Sequence, residues 1–320
     1  MPESDNPRVL VLTAPVDPTA DMVLAQLSAD DVPFLRLDSA RFPTTLGFTA
    51  GIAPHSCWGA RLGGQWLDSV KSIYYRRPGG FEFDPAIPPE MITWCEGQAQ
   101  FGFWGVLESL PATWINSPGA EHLASCKPRQ LEHAAAAGLK FPPTMVTNEP
   151  EAVTEFAAQH PGGIITKTLY SGMPRTPDGH LTGLVYTNIV PPSRYADPSI
   201  ALTAHLFQAK LAKSFDLRVT VVGDEVFTTR IANPDELDWR RGDQHNITYR
   251  PYQLPDSVLV GVRRLMSSLG LVFGALDFVV TDEEHHFIEI NPNGQWAFIE
   301  NETEQPISRA LAAALGKGTT

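Results

Sequence analysis

Asp277, Glu289 and Asn291 are the residues in this sequence whose types and spacing point most directly to chemistry. Asp277 lies in Gly274-Ala275-Leu276-Asp277-Phe278-Val279-Val280, a run of β-formers that ends at the turn signal Thr281-Asp282-Glu283-Glu284. A second strand follows, His286-Phe287-Ile288-Glu289-Ile290-Asn291, closed by Pro292-Asn293-Gly294. Paired as an antiparallel hairpin, the strands set Asp277 against Glu289 and Asn291, and the last two share a face because strand side chains repeat every second residue. Three oxygen ligands then converge. Such a set suits magnesium, which combines one or two protein carboxylates with substrate phosphates, and the phosphates point to ATP. A lone acid on a hairpin would sooner face solvent. Here Leu276, Phe278, Ile288 and Ile290 flank the acids, and carboxylates inside an apolar hairpin need a partner.

Several elements must position that hairpin. Residues 8–13 read as an apolar strand, Asp17-Pro18-Thr19 as a turn, residues 21–27 as a helix and residues 34–38 as a second strand. This β-α-β order predicts an open α/β sheet with parallel strands. The loop 13–17 has no G-x-G-x-x-G, so dinucleotide binding is not expected. Residues 47–68 read as a hairpin turning at Gly63-Gly64, and a strand at 72–75 runs into Arg76-Arg77-Pro78-Gly79. Arginines on a loop at a strand's C-terminal end sit where open α/β sheets bind ligands, with a solvated turn as the equal alternative. The segment 90–110 reads as an aromatic-rich helix (Trp94, Phe101, Phe103, Trp104) whose stripe suits a core or a dimer interface.

Residues 121–137 read as one helix carrying Lys127-Pro128 and ended by Gly138. A strand at 144–147 precedes a helix at 150–159 capped by Asn148, and a strand at 164–167 ends in Lys167. The stretch 170–183 is rich in Gly, Pro, Ser and Thr, and reads as a mobile loop able to close over a nucleotide. Strands at 206–211, 216–222 and 226–231 read as an antiparallel meander turning at Gly223-Asp224. The polar loop 235–250 contains Asp238-Trp239-Arg240-Arg241, and the planar fork of arginine fits carboxylate or phosphate. Helices at 256–269 and 306–315 bracket the metal hairpin. Taken singly, Lys127 and Lys167 read as surface lysines, and Asp216, Arg218 and Arg230 read equally well as cross-strand ion pairs.

At 320 residues, the chain suggests about two or three domains. Its 43% hydrophobic and 19% charged residues are those of a globular protein. Apolar runs stop well short of the roughly 20 residues that span a bilayer. Glu3 and Asp5 ahead of the first strand do not read as a secretory signal, so a cytoplasmic protein is expected. Cys57, Cys95 and Cys126 fall in no metal-ligand spacing and read as free thiols. The net charge of -12 argues against nucleic acid and anionic membranes as partners, so an anionic substrate must meet a local arginine cluster.

The pattern of Asp277 followed by Glu289-Ile290-Asn291-Pro292-Asn293-Gly294 resembles the metal-binding end of the ATP-grasp ligases. That resemblance implies a three-part α/β fold. An open N-terminal α/β domain would span 1–117, a small central α+β subdomain acting as a lid 118–200, and an antiparallel-sheet α+β subdomain with the metal site 201–320. It implies ATP and magnesium as cofactors, with a pair of ions at Asp277, Glu289 and Asn291. Lys127 and Lys167 would reach the phosphates, and Gln208, Ala209, Lys210 and Leu211 would form the linker that holds adenine. Gln208 stands where the family commonly has Glu. Asp216 and Arg218 match an Asp-x-Arg of the family and Arg230 a basic residue, with both arginines serving the phosphates as catalytic groups and Asp216 the nucleotide.

Within that superfamily the chain looks most like the graspetide synthetases, which link Asp or Glu side chains to Thr, Ser or Lys side chains within a ribosomal precursor peptide. The likeness covers nearly the whole chain. It rests on the opening Val-Leu-Val-Leu-Thr-Ala-Pro-Val-Asp-Pro-Thr-Ala-Asp, on Tyr75-Arg76-Arg77-Pro78, on Leu237-Asp238-Trp239-Arg240 and on the closing Glu-Ile-Asn-Pro-Asn-Gly-Gln-Trp. It implies a precursor with a leader and a core rich in Thr and Asp or Glu, Arg76, Arg77, Arg240 and Arg241 holding the peptide carboxylate, an acyl phosphate intermediate, and a homodimer. A ligase for a small amino acid or a peptide terminus is the second reading. A nucleotide-binding module without catalysis is a third, disfavoured by the complete Asp, Glu, Asn set.

Overall fold

The structure is a computed structural model, and it describes residues 6–170, 186–232, 237–241, 247–282 and 284–318. Every residue of the apolar run Val9–Thr13 (β1) is buried, as a strand covered on both faces must be. Helix α1 (Pro18–Ala29) starts where Asp17 accepts the N–H groups of Thr19 and Ala20 at 3.0 Å, with Pro18 in the first turn. It leads to β2 (Phe34–Leu37). In place of a single hairpin, residues 48–66 form a three-stranded antiparallel sheet of β3 (Phe48–Gly51), β4 (Gly59–Leu62) and β5 (Gln65–Trp66). Its last turn uses Gly63 and Gly64 at φ of 56° and 87°, a region that glycine enters without steric cost. The chain then returns as β6 (Ser72–Arg76).

Helix α2 (Pro89–Ala99) continues through a π-turn over Gln100–Trp104 into α3 (Gly105–Glu108), which turns Phe103 and Trp104 inward and leaves Phe101 outside. Strand β7 (Thr113–Ile115) completes the expected parallel sheet, in the order β2-β1-β6-β7.

The helix expected over 121–137 is two helices, α4 (Pro118–Ala124) and α5 (Lys127–Ala136). Pro128 has no N–H for the Ala124 carbonyl, and its ring would clash with it, so the chain breaks before it. This break makes Lys127 the first residue of α5. Strand β8 (Thr144–Thr147) leads to α6 (Pro150–Gln159), whose cap position is held by Glu149 without a side-chain bond and not by the expected Asn148. The small antiparallel sheet is completed by β9 (Ile164–Lys167), β10 (Asn188–Ile189) and β11 (His205–Ala209), in the order β10-β9-β11-β8. Strand β11 thus departs from the expected meander. It pairs with β8 and β9, setting Leu206 opposite Lys167 and Gln208 opposite Thr144. The segment read as a mobile loop lies outside the described residues except for Tyr170.

The large sheet has the order β14-β13-β12-β15-β16 and is antiparallel throughout. It is built from β12 (Phe215–Val222), β13 (Glu225–Ala232), β14 (Thr248–Pro251), β15 (Phe273–Thr281) and β16 (Glu284–Asn291), with α7 (Asp256–Ser268) between β14 and β15. One face buries Leu217, Val219, Leu276, Phe278 and Phe287 against Val262, Leu265 and Met266 of α7 and Ala134 of α5. The α4–α5 pair therefore packs with this sheet. Helices α8 (Ala297–Thr303) and α9 (Ile307–Lys317) close the chain, and α9 packs on α1 in a core shared by the parallel and the large sheets.

Candidate active site

Strand pairing brings the expected ligands together. Asp277 stands opposite Glu289 and Ala275 opposite Asn291. Asn291 Nδ2 donates to Asp277 Oδ2 at 3.2 Å and to Glu289 Oε1 at 3.4 Å, so the amide bridges the two carboxylates. A β-bulge makes this possible. The register steps from Asp277↔Glu289 to Phe278↔Phe287, leaving Ile288 as the extra residue. Phe287 can then stack edge-on with Phe278 in the apolar core while Glu289, two residues on, faces the opposite way.

Cations surround the pair. Lys127 Nζ lies 3.2 Å from Glu289 Oε2, and Arg218 Nε lies 3.1 Å from Asp277 Oδ1. Burial acts to raise the Glu289 carboxyl, but Lys127 and Lys167 together hold it down, to about 2. Burial prevails at Asp277, which rises to about 6 against the pull of Arg218. Burial likewise lowers the Lys167 ammonium to about 8, with Glu289 opposing. Asp277 Oδ1 and Arg218 Nε are buried without an aligned hydrogen bond. A hard cation fits this donor set, with two carboxylates, one amide oxygen available on rotation of Asn291, and an acceptor still unsatisfied. No cluster of three His, Cys, Asp or Glu side chains suited to a metal occurs among the described residues, and the polar side chain that stands beside the two carboxylates is that of Asn291.

Asp277, Glu289, Asn291, Lys127 and Lys167 line one cavity between the small sheet and the large one, together with Gln208, Ala209, Leu211, Asp216 and Arg240. Ile165, Tyr186, Leu237 and Ile288 give it an apolar side. Gln208 is buried and donates to Thr144 Oγ1 at 2.8 Å, while its Oε1 has no partner. Asp216 rises to about 6 through burial, although Lys213 Nζ stands 2.7 Å away. Lys210 is exposed, and its N–H is taken by the Gly163 carbonyl at 2.9 Å, so it adds no donor to the cavity.

The arginines separate. Arg230 does not face the site. Thr229 pairs with Arg218 on the ligand face, so alternation turns its neighbour Arg230 to the other face, where it lies over the Phe215 ring. Arg76 ends strand β6 instead of starting a loop, and is 1% exposed. It donates to the Asn293 carbonyl at 3.0 Å and to Gln295 Oε1 at 2.6 Å, so it is buried against the loop after β16 and does not present its guanidinium at the surface as the sequence suggests. Arg77 is exposed, at φ of 48°, and also reaches the Asn293 carbonyl, at 2.9 Å. Arg240 forks onto Asp238 at 2.8 and 2.6 Å, and Arg241 donates to Asn188 Oδ1 at 2.8 Å while lying over Tyr186. Residues 237–241 thereby tie the large sheet to the β10 segment.

A large antiparallel sheet carrying Asp277, Glu289 and Asn291 side by side, facing a small sheet whose strand β9 ends in Lys167, is the architecture of an ATP-grasp ligase. Comparison with solved structures bears this out. Macrocyclase MdnB from Microcystis aeruginosa MRC is 31% identical, over 96% of this chain and 98% of that one, with a TM-score of 0.78. Macrocyclase MdnC from the same organism, bound with precursor peptide MdnA, is 28% identical over 97% and 99%, with a TM-score of 0.85. A Chryseobacterium gregarium RiPP-associated ATP-grasp ligase, in complex with ADP and a leader and core peptide, is 25% identical over 97% of each chain, with a TM-score of 0.87. The chain belongs to this family of ATP-grasp ligases associated with ribosomal peptide maturation. No protein-family model and no curated protein matches it.

Sequence reasoning missed the polar groups that hold the ligand strand. Asn116 donates to the carbonyls of Phe273 and Pro292 at 2.9 and 2.8 Å and accepts the N–H groups of Val272 and Phe273. Asn293 is the hub where Arg76 and Arg77 meet the ligand loop. Neither residue sits in a pattern that names its partners.

Proposed function

We propose that the chain is an ATP-dependent ligase that phosphorylates Asp or Glu side chains of a ribosomally made precursor peptide and joins them to Thr, Ser or Lys side chains of the same peptide. The observation that carries this reading is the convergence of Asp277, Glu289, Asn291, Lys127 and Lys167 in one cavity that also has an apolar side. The peptide is supported by the relatives, since MdnC was solved with a precursor peptide and the Chryseobacterium ligase with ADP, leader and core.

The γ-phosphoryl group passes from ATP to a peptide carboxylate oxygen, leaving ADP. A side-chain hydroxyl or amine then attacks the acyl carbon, loses its proton, and phosphate departs. Asp277, Glu289 and Asn291 would hold magnesium, as a pair of ions in this reading, and the metal would neutralise charge on the phosphates. Lys127 and Lys167 hold the phosphates by direct charge, and Arg218 fixes Asp277 from the neighbouring strand. Gln208 Oε1, buried and unpartnered, accepts from the adenine amino group, and Ala209 and Leu211 flank the ring. Arg77, Arg240 and Arg241 receive the peptide carboxylate, with Arg240 exchanging Asp238 for it. The enzyme works as a homodimer in the cytoplasm; no helix among the described residues is long and apolar enough to cross a membrane.

Incubation with ATP, magnesium and a precursor peptide tests this. The expected product has lost the mass of one water per link, at unchanged peptide length, with one ADP released. A product that has gained a residue would move the chain to ligases of small amino acids. Nucleotide binding without turnover, in the presence of acidic peptides, would make it a non-catalytic module.

A further inference from the structure

The strand β16 is the edge of the large sheet, and on its outer side the Phe287 N–H is taken by the Lys140 carbonyl at 2.7 Å while no further strand among the described residues lies alongside. Gln130 of α5 takes that place at one residue. Its Nε2 donates to the Ile290 carbonyl at 2.9 Å and to the Ala124 carbonyl at 2.7 Å, and its Oε1 accepts the Ile290 N–H at 3.1 Å. The side chain is 2% exposed. A buried amide with both ends satisfied by backbone acts as a one-residue strand. Ile290 is the residue between the ligands Glu289 and Asn291.

The same helix reaches the ligands a second way. Lys127 and Gln130 are three residues apart on α5 and lie on one face of it. Lys127 grips the Glu289 side chain while Gln130 grips the backbone that follows. The break that Pro128 forces between α4 and α5 is what sets this face against the strand.

We propose that Gln130 is a positioning residue for metal binding, holding the Glu289–Asn291 backbone so that both side chains point at one ion. The proposal rests on the assignment of Asp277, Glu289 and Asn291 as the metal ligands. Groups that orient ligands without touching the ion change metal affinity by about 10- to 100-fold when removed.

The test is manganese affinity, read by electron paramagnetic resonance on folded protein saturated with a non-hydrolysable ATP analogue. Gln130→Met keeps the length and removes both hydrogen bonds. It should weaken manganese by at least about 10-fold, with the Michaelis constant for peptide unchanged. Gln130→Glu keeps an acceptor for the Ile290 N–H and should fall between Met and wild type, more closely wild type at lower pH, where the acid regains a donor. Glu289→Gln serves as the reference. If Glu289→Gln lost affinity while folded Gln130→Met kept it, the positioning role would be wrong and the ligand assignment intact. If Glu289→Gln kept it, the ligand assignment itself would fall. Should neither Gln130 variant fold, amide exchange in the wild type decides: the Ile290 N–H should be strongly protected and slow further with metal and nucleotide, and exchange at the rate of an open strand edge would overturn the proposal.

Discussion

The residues proposed as metal ligands, and the lysines beside them, carry charge in unequal ways, and that asymmetry leads to two predictions. Glu289 is held ionised by Lys127 and Lys167, so Glu289→Gln should keep the fold, measured by circular dichroism, and lose ligation by about 100-fold or more, since the metal that would neutralise the transferring phosphate loses a charged ligand. Near wild-type turnover at low magnesium would end the assignment. Lys167 behaves oppositely, because burial lowers it to about 8, and only its ammonium form attracts phosphate. ATP affinity, measured by calorimetry, should therefore fall as pH rises through about 8, and Lys167→Arg, charged throughout, should flatten the decline. The sign for stability is reversed. The unfolded chain keeps this proton to about pH 10.5 and the folded chain only to about 8, so the group's contribution to stability grows with pH over that window. Lost affinity there would not come from a loss of this group's contribution to the fold.

Strand alternation decides what each basic residue can do. Arg218 and Arg230 looked equivalent in sequence, yet the pairing of Arg218 with Thr229 puts Arg230 on the far face. Arg230→Ala should therefore leave ATP affinity unchanged, whereas Arg218→Ala, which strips Asp277 of its partner, should weaken it; equal losses would contradict the register. The hairpin, the parallel β-α-β start and the lysine at the end of β9 were legible because each is local, a run of β-formers or an apolar strand beside a turn. Strand β11 was not, because an apolar strand does not announce which sheet it joins, and its neighbours β8 and β9 lie about 40 to 60 residues away. The break at Pro128 was legible in principle, since proline inside a helical pattern ends it. Gln130 and Asn116 were not, since a polar residue on a helix or in a loop reads as exposed until its partners are known.

Across the whole molecule, Arg76 joins the parallel sheet to the loop that follows the ligands. Arg76→Ala would leave Asn293, Gln295 and Asp17 without their buried cation and should cost about 3–5 kcal/mol, read by denaturant melts, beyond any effect on catalysis. A stability change below about 1 kcal/mol would show that the join is not structural. On the opposite side of the parallel domain, Met91, Trp94 and Phe101 stand 42%, 60% and 85% exposed along α2 and its π-turn. A protein of net charge -12 that leaves two large aromatics in water there has a surface suited to a second copy. If this face joins two copies, Phe101→Asp should halve the mass measured by light scattering, and an unchanged mass would count against it as an interface.

The bulge at Ile288 has a genetic reading. Removing that single codon in frame would leave Asp277 opposite Glu289 and Phe278 opposite Phe287, so every pairing of the hairpin could re-form as a regular ladder. What would vanish is one apolar wall of the cavity beside Glu289. In a scan of codon deletions along the hairpin, this position should stand apart as the one whose product still folds and no longer binds nucleotide well, a lesion that parts inheritance of the fold from inheritance of the activity.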